Sequence, residues 1–486
     1  MTTLEEARSM AAGYPVVPIS KEIMADRKTP IEVLGILKGV SSHCYMLESV
    51  ENQERWGRYT FLGYDPVMEI TCTDGVMTIR GDGKDDTKKV AHPRETLAQI
   101  LKEYRSPRIA GLPTFTGGLV GYFSYDYIKY AEASLKLDAA DEEGFKDVDL
   151  MLFDKVIAFD NFKQKIVLIV NIKTDELEIN YKEAEAELEK MASMIREKIA
   201  APIAPGKLKS ELRRLFEEAV YCSMVEKAKK YIYEGDIFQV VLSNRLEAEF
   251  EGSLFNAYRV LRTTNPSPYM FYFSSDDIEV AGASPETLVK LVDGVVYTFP
   301  LAGTRPRGTN DEEDMRLEKE LLADEKELAE HNMLVDLGRN DLGKISKFGS
   351  VTVENYLSIQ RYSHVMHIGS TVRGEIREDK GALDAVDAVL PAGTLSGAPK
   401  LRAMEIINEL ENCKRGIYGG AIGYIDLAGN LDTCIAIRIA YKKNGKVFVR
   451  SGAGIVADSI PQNEYRECIN KAQAVVNALL AGEEEL

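Results

Sequence analysis

Two pairs of glutamates, Glu327/Glu330 in DEKELAEHNMLVDLGRND and Glu464/Glu467 in PQNEYRECINKA, have the spacing in this sequence best suited to chemistry. A three-residue step on a helix puts both carboxylates of a pair on one face. If two such helices face each other, four acidic groups repel unless a cation stands between them. An oxygen-rich cluster of this kind suits a hard divalent ion such as Mg2+, which keeps waters and takes a ligand from its substrate. One pair alone is better read as a solvated helix face. Here each pair adjoins small, Gly-rich or apolar sequence that reads as packed, so we expect a metal site. Three cations lie among small residues: Arg438 in DTCIAIR, Lys471 one turn beyond Glu467, and Arg305 in PLAGTRPRG. Arg438 ends an apolar alternating run beside a Gly-rich one, a place either for an ordinary salt bridge or for holding a carboxylate bidentately. Metal, cation and backbone donors together describe a pocket for a small dicarboxylic acid.

These groups must be positioned by strands and helices in sequence. HCYMLES, YTFLGYD, VMEITCT, VMTIRG and VIAFDNFKQKIVLIVNI alternate or run apolar between turn signals such as Asp74-Gly75 and Asp82-Gly83. TDELEINYKEAEAELEKMASMIREKI reads as a long amphipathic helix, and AAPIAPGKLKS after it as a linker. The sequence then predicts a helix ending at Gly235, a strand in FQVVLSNRLEAEF, and a helix, turn and strand in FNAYRVLRTTNPSPYMFYFSS. Asp293-Gly294 reads as a hairpin turn. Helices are expected at about 314–338, 382–390, 398–412 and 463–481, with three strands between the last two. Strand–turn–strand order dominates over βαβ, so the fold class expected is α+β with large antiparallel sheets. SGAGIVAD mimics a dinucleotide fingerprint but does not join a strand to a helix. GTLSGAPK lacks the ending of a phosphate loop, yet it opens a helix whose N–H groups are placed to hold a carboxylate.

The 486 residues, 45% hydrophobic and 28% charged, are those of an ordinary soluble globular protein. A net charge of −17 argues against a nucleic-acid or membrane-surface partner. Six cysteines without regular spacing fit a reduced cytoplasm, and five histidines make a His-rich zinc site a poor expectation. MTTLEEARSMAAGYP reads as a short capped helix with no signal-peptide core, and no apolar run is long enough to span a membrane.

PLAGTRPRG, DEKELAEHNMLVDLGRNDLG, HVMHIGSTVRG, PAGTLSGAPKLRAMEII, RGIYGGAIGYID, DTCIAIR and GAGIVADSIPQNEYRECINKA together resemble the chorismate-utilising enzymes, from about Arg213 to the C-terminus. That resemblance implies two large antiparallel sheets packed as a sandwich with helices outside, and chorismate held by Mg2+. Members that add water resemble one another in having a lysine where this chain has Gln239, whose neutral amide cannot deprotonate water. Aminodeoxychorismate synthases typically carry PIKGT, whose lysine attacks the ring; here PLAGT places Ala302, a methyl group. Ammonia is then the nucleophile, the pattern of the anthranilate synthases.

By this resemblance Glu327, Glu330, Glu464 and Glu467 hold Mg2+. Tyr418, Arg438 and the Gly452–Gly454 backbone hold the other carboxylate, with Lys471 adding positive charge. Glu286 corresponds to the general acid, Gly303, Thr304 and Thr394 orient the substrate, and His367 assists proton transfer at C2. YMLES, RWGRYTFLGYDP and NPSPYMFY resemble the feedback element of the tryptophan-sensitive members, implying Glu48, Ser49, Arg58, Pro268, Tyr269 and Met270 as a tryptophan site. The expected division is a regulatory subdomain over 1–200, intertwined with a catalytic domain over 201–486. No glutaminase constellation is evident, so a separate glutamine amidotransferase subunit is expected in a hetero-oligomer. The alternatives are a 2-amino-2-deoxyisochorismate or 4-amino-4-deoxychorismate synthase, and a catalytically silent amino-acid-binding regulator.

Overall fold

A computed structural model describes residues 1–49, 57–81, 83–362 and 365–484. Two antiparallel sheets, of 13 and 12 strands, form the molecule. The first sheet runs from Val16–Met24 through Lys165–Lys173, Lys155–Asp160, Tyr59–Tyr64 and Cys44–Glu48. It continues through Tyr269–Ser274, Glu279–Ser284, Ile439–Lys443, Lys446–Ile455 and Gln239–Glu251. The second runs from Leu301–Pro306 and Val365–Glu375 through Val295–Thr298, Thr287–Val292, Leu431–Ile435 and Ala421–Asp426. It ends in Gly118–Phe123, Val148–Phe153, Met68–Thr73, Val76–Gly81 and Lys84–Lys89. Each sheet thus joins one block of strands from before residue 200 to one block from after it, Cys44–Glu48 pairing with Tyr269–Ser274 in the first and Gly118–Phe123 with Ala421–Asp426 in the second.

Strand alternation explains the layering, because successive side chains face opposite ways. Tyr45, Ala158, Val167, Phe271 and Phe448 meet Val120, Tyr122, Met151, Ile422 and Cys434 between the sheets. Cys44, Met46, Ile157 and Leu168, one residue out of step, pack outward with the helices Pro30–Lys38 and Leu177–Glu197. All six cysteines are free.

Two expectations are corrected. The helix expected at 314–338 is two helices, Asp311–Ala323 and Glu325–Gly343. Asp324 breaks the run with an extended backbone and caps the second helix, accepting from the N–H groups of Lys326 and Glu327. The segment expected to hold three strands holds four: Leu431–Ile435 lies in one sheet and Ile439–Lys443 in the other. The chain crosses between them at Arg438, whose φ of 54° ends one strand before the next begins. Asp82 of the Asp82-Gly83 turn lies outside the described residues, as do Arg55 and Trp56 of the RWGRYTF motif and His364 of HVMHIG. The strands flanking Asp82 pair as a hairpin, Gly81 opposite Lys84.

Candidate active site

Both glutamate pairs begin in the first turn of a helix, Glu327 in Glu325–Gly343 and Glu464 in Pro461–Ala481. Helix N-termini carry partial positive charge, which offsets part of the repulsion within each pair. Glu327 is nonetheless held above the usual carboxylate range by burial and by the charge of Glu330 and Asp324. Burial likewise raises Glu464, helped by Glu467 and opposed by Ser459 and by Lys326 on the other helix.

The residues expected between these helices converge by a chain of contacts. The amide nitrogen of Gln239, the first residue of its strand, donates to Glu330 Oε1 at 3.2 Å. Its Oε1 is buried with no hydrogen-bond partner. Gly454 lies beside it: a Cβ there would stand 2.6 Å from Gln239 Nε2 and push the amide aside. Lys471 Nζ is 2.6 Å from Glu467 Oε1 and donates to the Gly452 carbonyl at 3.2 Å. Arg438 donates to the backbone carbonyl of Lys471. It forms no ion pair among the described residues, and burial draws its guanidinium below its ordinary pKa. Tyr418, buried, turns its hydroxyl toward Gly452.

The third side is a β-bulge. Leu301–Pro306 pairs with Val365–Glu375, and the register slips between Ala302 and Thr304. Gly303 occupies the slip at φ 65°, and a Cβ there would lie 3.2 Å from Glu327 Oε2. The bulge turns the Gly303 carbonyl to accept from His367 Nδ1 at 2.8 Å, with Thr304 Oγ1 3.1 Å from the same nitrogen. Since a carbonyl only accepts, Nδ1 carries the proton and Nε2 keeps its lone pair. Burial lowers the His367 pKa, so the ring is neutral at pH 7. Ala302 is buried and supplies no nucleophile.

Glu286 opens on the same region and accepts from Thr394 Oγ1 at 3.1 Å. Burial pushes its carboxyl up to about 8, against the lowering pull of Thr394 and Lys471. A carboxyl kept protonated at neutral pH is a proton donor. Arg305 falls outside this convergence, since its guanidinium bonds to Glu320 and Asp324.

The four helical glutamates do not close into one cage. Among the described residues, the group of acidic side chains whose oxygens lie within 4.8 Å of one another is Glu69, Asp149 and Asp277. A lysine already stands there: Lys146 Nζ is 3.0 Å from Asp149 and 2.8 Å from Asp277, and Lys443 is 2.9 Å from Asp277. That cluster is neutralised, whereas among the described residues the ion pairs of the helical glutamates are Lys471 with Glu467 and, at 3.8 Å from Glu327, Arg305. Under-neutralised carboxylates, an orphaned amide oxygen and oxygen-only donors fit a hard divalent cation.

A second site lies between the sheets. A cavity of about 720 Å3 is lined by Glu48, Ser49, Pro268, Tyr269 and Met270, with Leu47, Tyr59 and Phe61 beside them. Arg58 does not line it; its guanidinium is held by Asp160 at 2.7 Å and stacks over Tyr59. The cations at the cavity wall are Arg108 and Lys290. The Glu48 carboxylate accepts from Tyr258 at 2.7 Å and from Arg262 at 2.9 Å. Sequence reading missed Tyr258 and Arg262, which lie more than two hundred positions from Glu48; helical Arg262 on the face of buried Tyr258 was the available signal.

Residues 42–477 match the model of the chorismate binding enzyme family, and the chain belongs to that family. Within it, the chain is 47% identical over 485 residues to anthranilate synthase component 1 of Acetivibrio thermocellus, covering 98% of each. It is 43% identical to the same component of Aquifex aeolicus, covering 99% of this chain and 98% of that one. The crystal structure of anthranilate synthase component I from Streptococcus pneumoniae TIGR4 superposes with a TM-score of 0.75 at 39% identity, covering 88% of this chain and 93% of that one. The menaquinone-specific isochorismate synthase of Escherichia coli shares the fold, with a TM-score of 0.69 at 20% identity and coverage of 98% and 99%.

Proposed function

We propose that this chain is the chorismate-aminating component of an anthranilate synthase, a lyase that converts chorismate and ammonia to anthranilate, pyruvate and water. The observation that carries this reading is the combination at the nucleophile's side of the pocket. Gln239 and Ala302 offer no basic group of their own, while Glu286 is held protonated opposite them. Ammonia needs no side-chain base to attack C2. As it adds, the C4 hydroxyl departs and takes its proton from Glu286. Thr394 fixes the carboxyl for that transfer. His367 Nε2 then accepts the proton from C2 as the ring C3–O bond breaks and the ring becomes aromatic; the leaving enolate takes up a proton to give pyruvate. Arg438, Tyr418 and the Gly452 backbone orient one substrate carboxylate, with Lys471 adding charge.

Glu327, Glu330, Glu464 and Glu467 would hold Mg2+, which when bound neutralises the ring carboxylate and stabilises charge that develops on it. The ammonia would come from a glutamine amidotransferase subunit, making a hetero-oligomer. The 1–200 segment would act as the regulatory part, with tryptophan in the cavity beside Glu48, Ser49, Pro268, Tyr269 and Met270. Among the described residues no helix is long and apolar enough to cross a membrane; with the cysteines free, cytoplasmic residence fits.

The purified chain is to be incubated with chorismate and Mg2+, with either ammonium or glutamine, and the product weighed by mass spectrometry. Anthranilate from ammonium but not from glutamine is the expected result. An aminated product that retains the pyruvyl group would replace this reading with that of an aminodeoxyisochorismate synthase. Tryptophan binding without chorismate consumption would leave a silent regulator.

A further inference from the structure

A small cavity of about 30 Å3, room for a water molecule, adjoins Glu286. Glu286, Thr394, Thr298, Gly338 and Asp341 all contribute to its lining. Asp341 is buried on the same helix as Glu327, nearly four turns further on. Its Oδ2 accepts from Lys400 Nζ at 2.6 Å, and its Oδ1 from Lys344 Nζ at 3.4 Å. Lys400, the first residue of the Lys400–Glu411 helix, also donates to the Val389 carbonyl at 3.0 Å. The Lys400 side chain is only 10% exposed, whereas that of Lys344 is 50% exposed. A line of polar groups therefore runs from solvent at Lys344, through Asp341 with Lys400, to Glu286.

We infer that a water in this cavity joins Glu286 to the Asp341–Lys400 pair, and that the pair is the proton reservoir that resets Glu286 in each turnover. The need is chemical. Once Glu286 has given its proton to the departing hydroxyl it is an enclosed carboxylate, and the substrate ring covers its front. The Lys400 ammonium releases a proton to Asp341, which passes it through the water to Glu286. Lys400 and Glu286 become neutral together, and Lys400 regains its proton from solvent by way of Lys344. Burial draws the Lys400 ammonium below its ordinary pKa while Asp341 opposes this, a balance suited to release and recapture. The other charges that act on Lys400 are Lys344 and Glu132, and the cation facing Glu286 is Lys471.

The inference rests on Glu286 being the general acid, and one experiment separates the two. Anthranilate formation by the Mg2+-loaded chain with ammonium is followed by rapid quench through the first turnover and into the steady state. Glu286→Gln is expected to slow the first turnover by about a hundredfold or more, as well as the later ones; a first turnover at the wild-type rate would overturn the general-acid reading itself. Lys400→Arg keeps the charge and the ion pair but cannot release a proton. Asp341→Asn keeps the shape but cannot shuttle one. In either variant, with folding verified by near-ultraviolet circular dichroism, the first equivalent of product forms at the wild-type rate. Later turnovers then slow by about tenfold or more. A steady rate equal to wild type would overturn the reservoir. So would a first turnover slowed as much as the rest, which is what a purely structural pair gives.

Discussion

The cleft around Glu327 and the cavity around Glu48 both draw carboxylates into the protein, and they treat the charge in opposite ways. In the cavity, Glu48 is met by Arg262 and Tyr258, and Asp432 by Lys290 and Tyr269, each within hydrogen-bond reach. In the cleft, Glu327 and Glu464 are raised above the usual carboxylate range by burial and by neighbours of their own sign. Arg438 there carries a guanidinium with no carboxylate partner among the described residues. Among the described residues these cavity carboxylates find their partners within the chain, so a ligand there would be recognised by shape and apolar lining. The cleft keeps charges of both signs open, so the proposed cation and anionic substrate would complete it. Binding can be built from satisfied groups, whereas charge-stabilising catalysis needs groups preorganised and left unsatisfied.

The sharpest way to break this contrast is to remove a carboxylate from the cleft. Glu327→Gln or Glu464→Gln should lower kcat by about a thousandfold or more, with folding intact by circular dichroism. Glu286→Gln should cost about a hundredfold or more. In the proposed role the active form of Glu286 is the protonated one, and burial pushes its carboxyl up to about 8. The rate corrected for the ammonia fraction should therefore be level below that pH and fall as pH rises through it. A rate rising through about 8 after that correction would remove Glu286 from the acid role.

A stability measurement separates the two regions by sign. Because the Glu327 pKa is raised, its protonated form suits the fold better, and its stabilising share is lost as pH rises through that raised value. Without metal at pH 7, Glu327→Gln should hold or raise Tm. Glu48→Gln instead strands Arg262, and should cost about 2 kcal/mol, less than a fully buried pair because Arg262 stays 28% exposed. Both variants losing stability alike would erase the distinction. The smallest expected effect is at the cavity wall. Leu47→Phe, which narrows the space, should leave the uninhibited rate within about twofold while weakening tryptophan inhibition about tenfold. Unchanged inhibition would move tryptophan elsewhere.

How much of this was legible in the sequence follows from the range of the forces involved. The glutamate pairs could be read because helical spacing is local, and the sheets because alternation is local too. Asp324 was not read as a break, since DEKEL is good helix sequence and only the cap shows where the helix restarts. The sheet-to-sheet crossing at Arg438 was hidden inside one continuous apolar alternation. Gly303 stood in the PLAGT motif, but a bulge is a property of two paired strands, and its partner strand lies some sixty residues on. Arg58 reads as part of the tryptophan site because it lies within RWGRYTFLGYDP, but Asp160 of a neighbouring strand holds its guanidinium away from the cavity lining. Glu48 with Arg262, and Asp341 with Lys400, are tertiary pairs that no local pattern marks.

The most direct measurement is Mn2+ binding, read by electron paramagnetic resonance in the presence of chorismate, for the wild type, Glu327→Gln, Glu464→Gln and Glu48→Gln. The unneutralised cleft predicts one ion per chain in the wild type and in Glu48→Gln, and loss of that ion in both cleft variants. An ion retained at wild-type affinity when either helix loses its glutamate would contradict it.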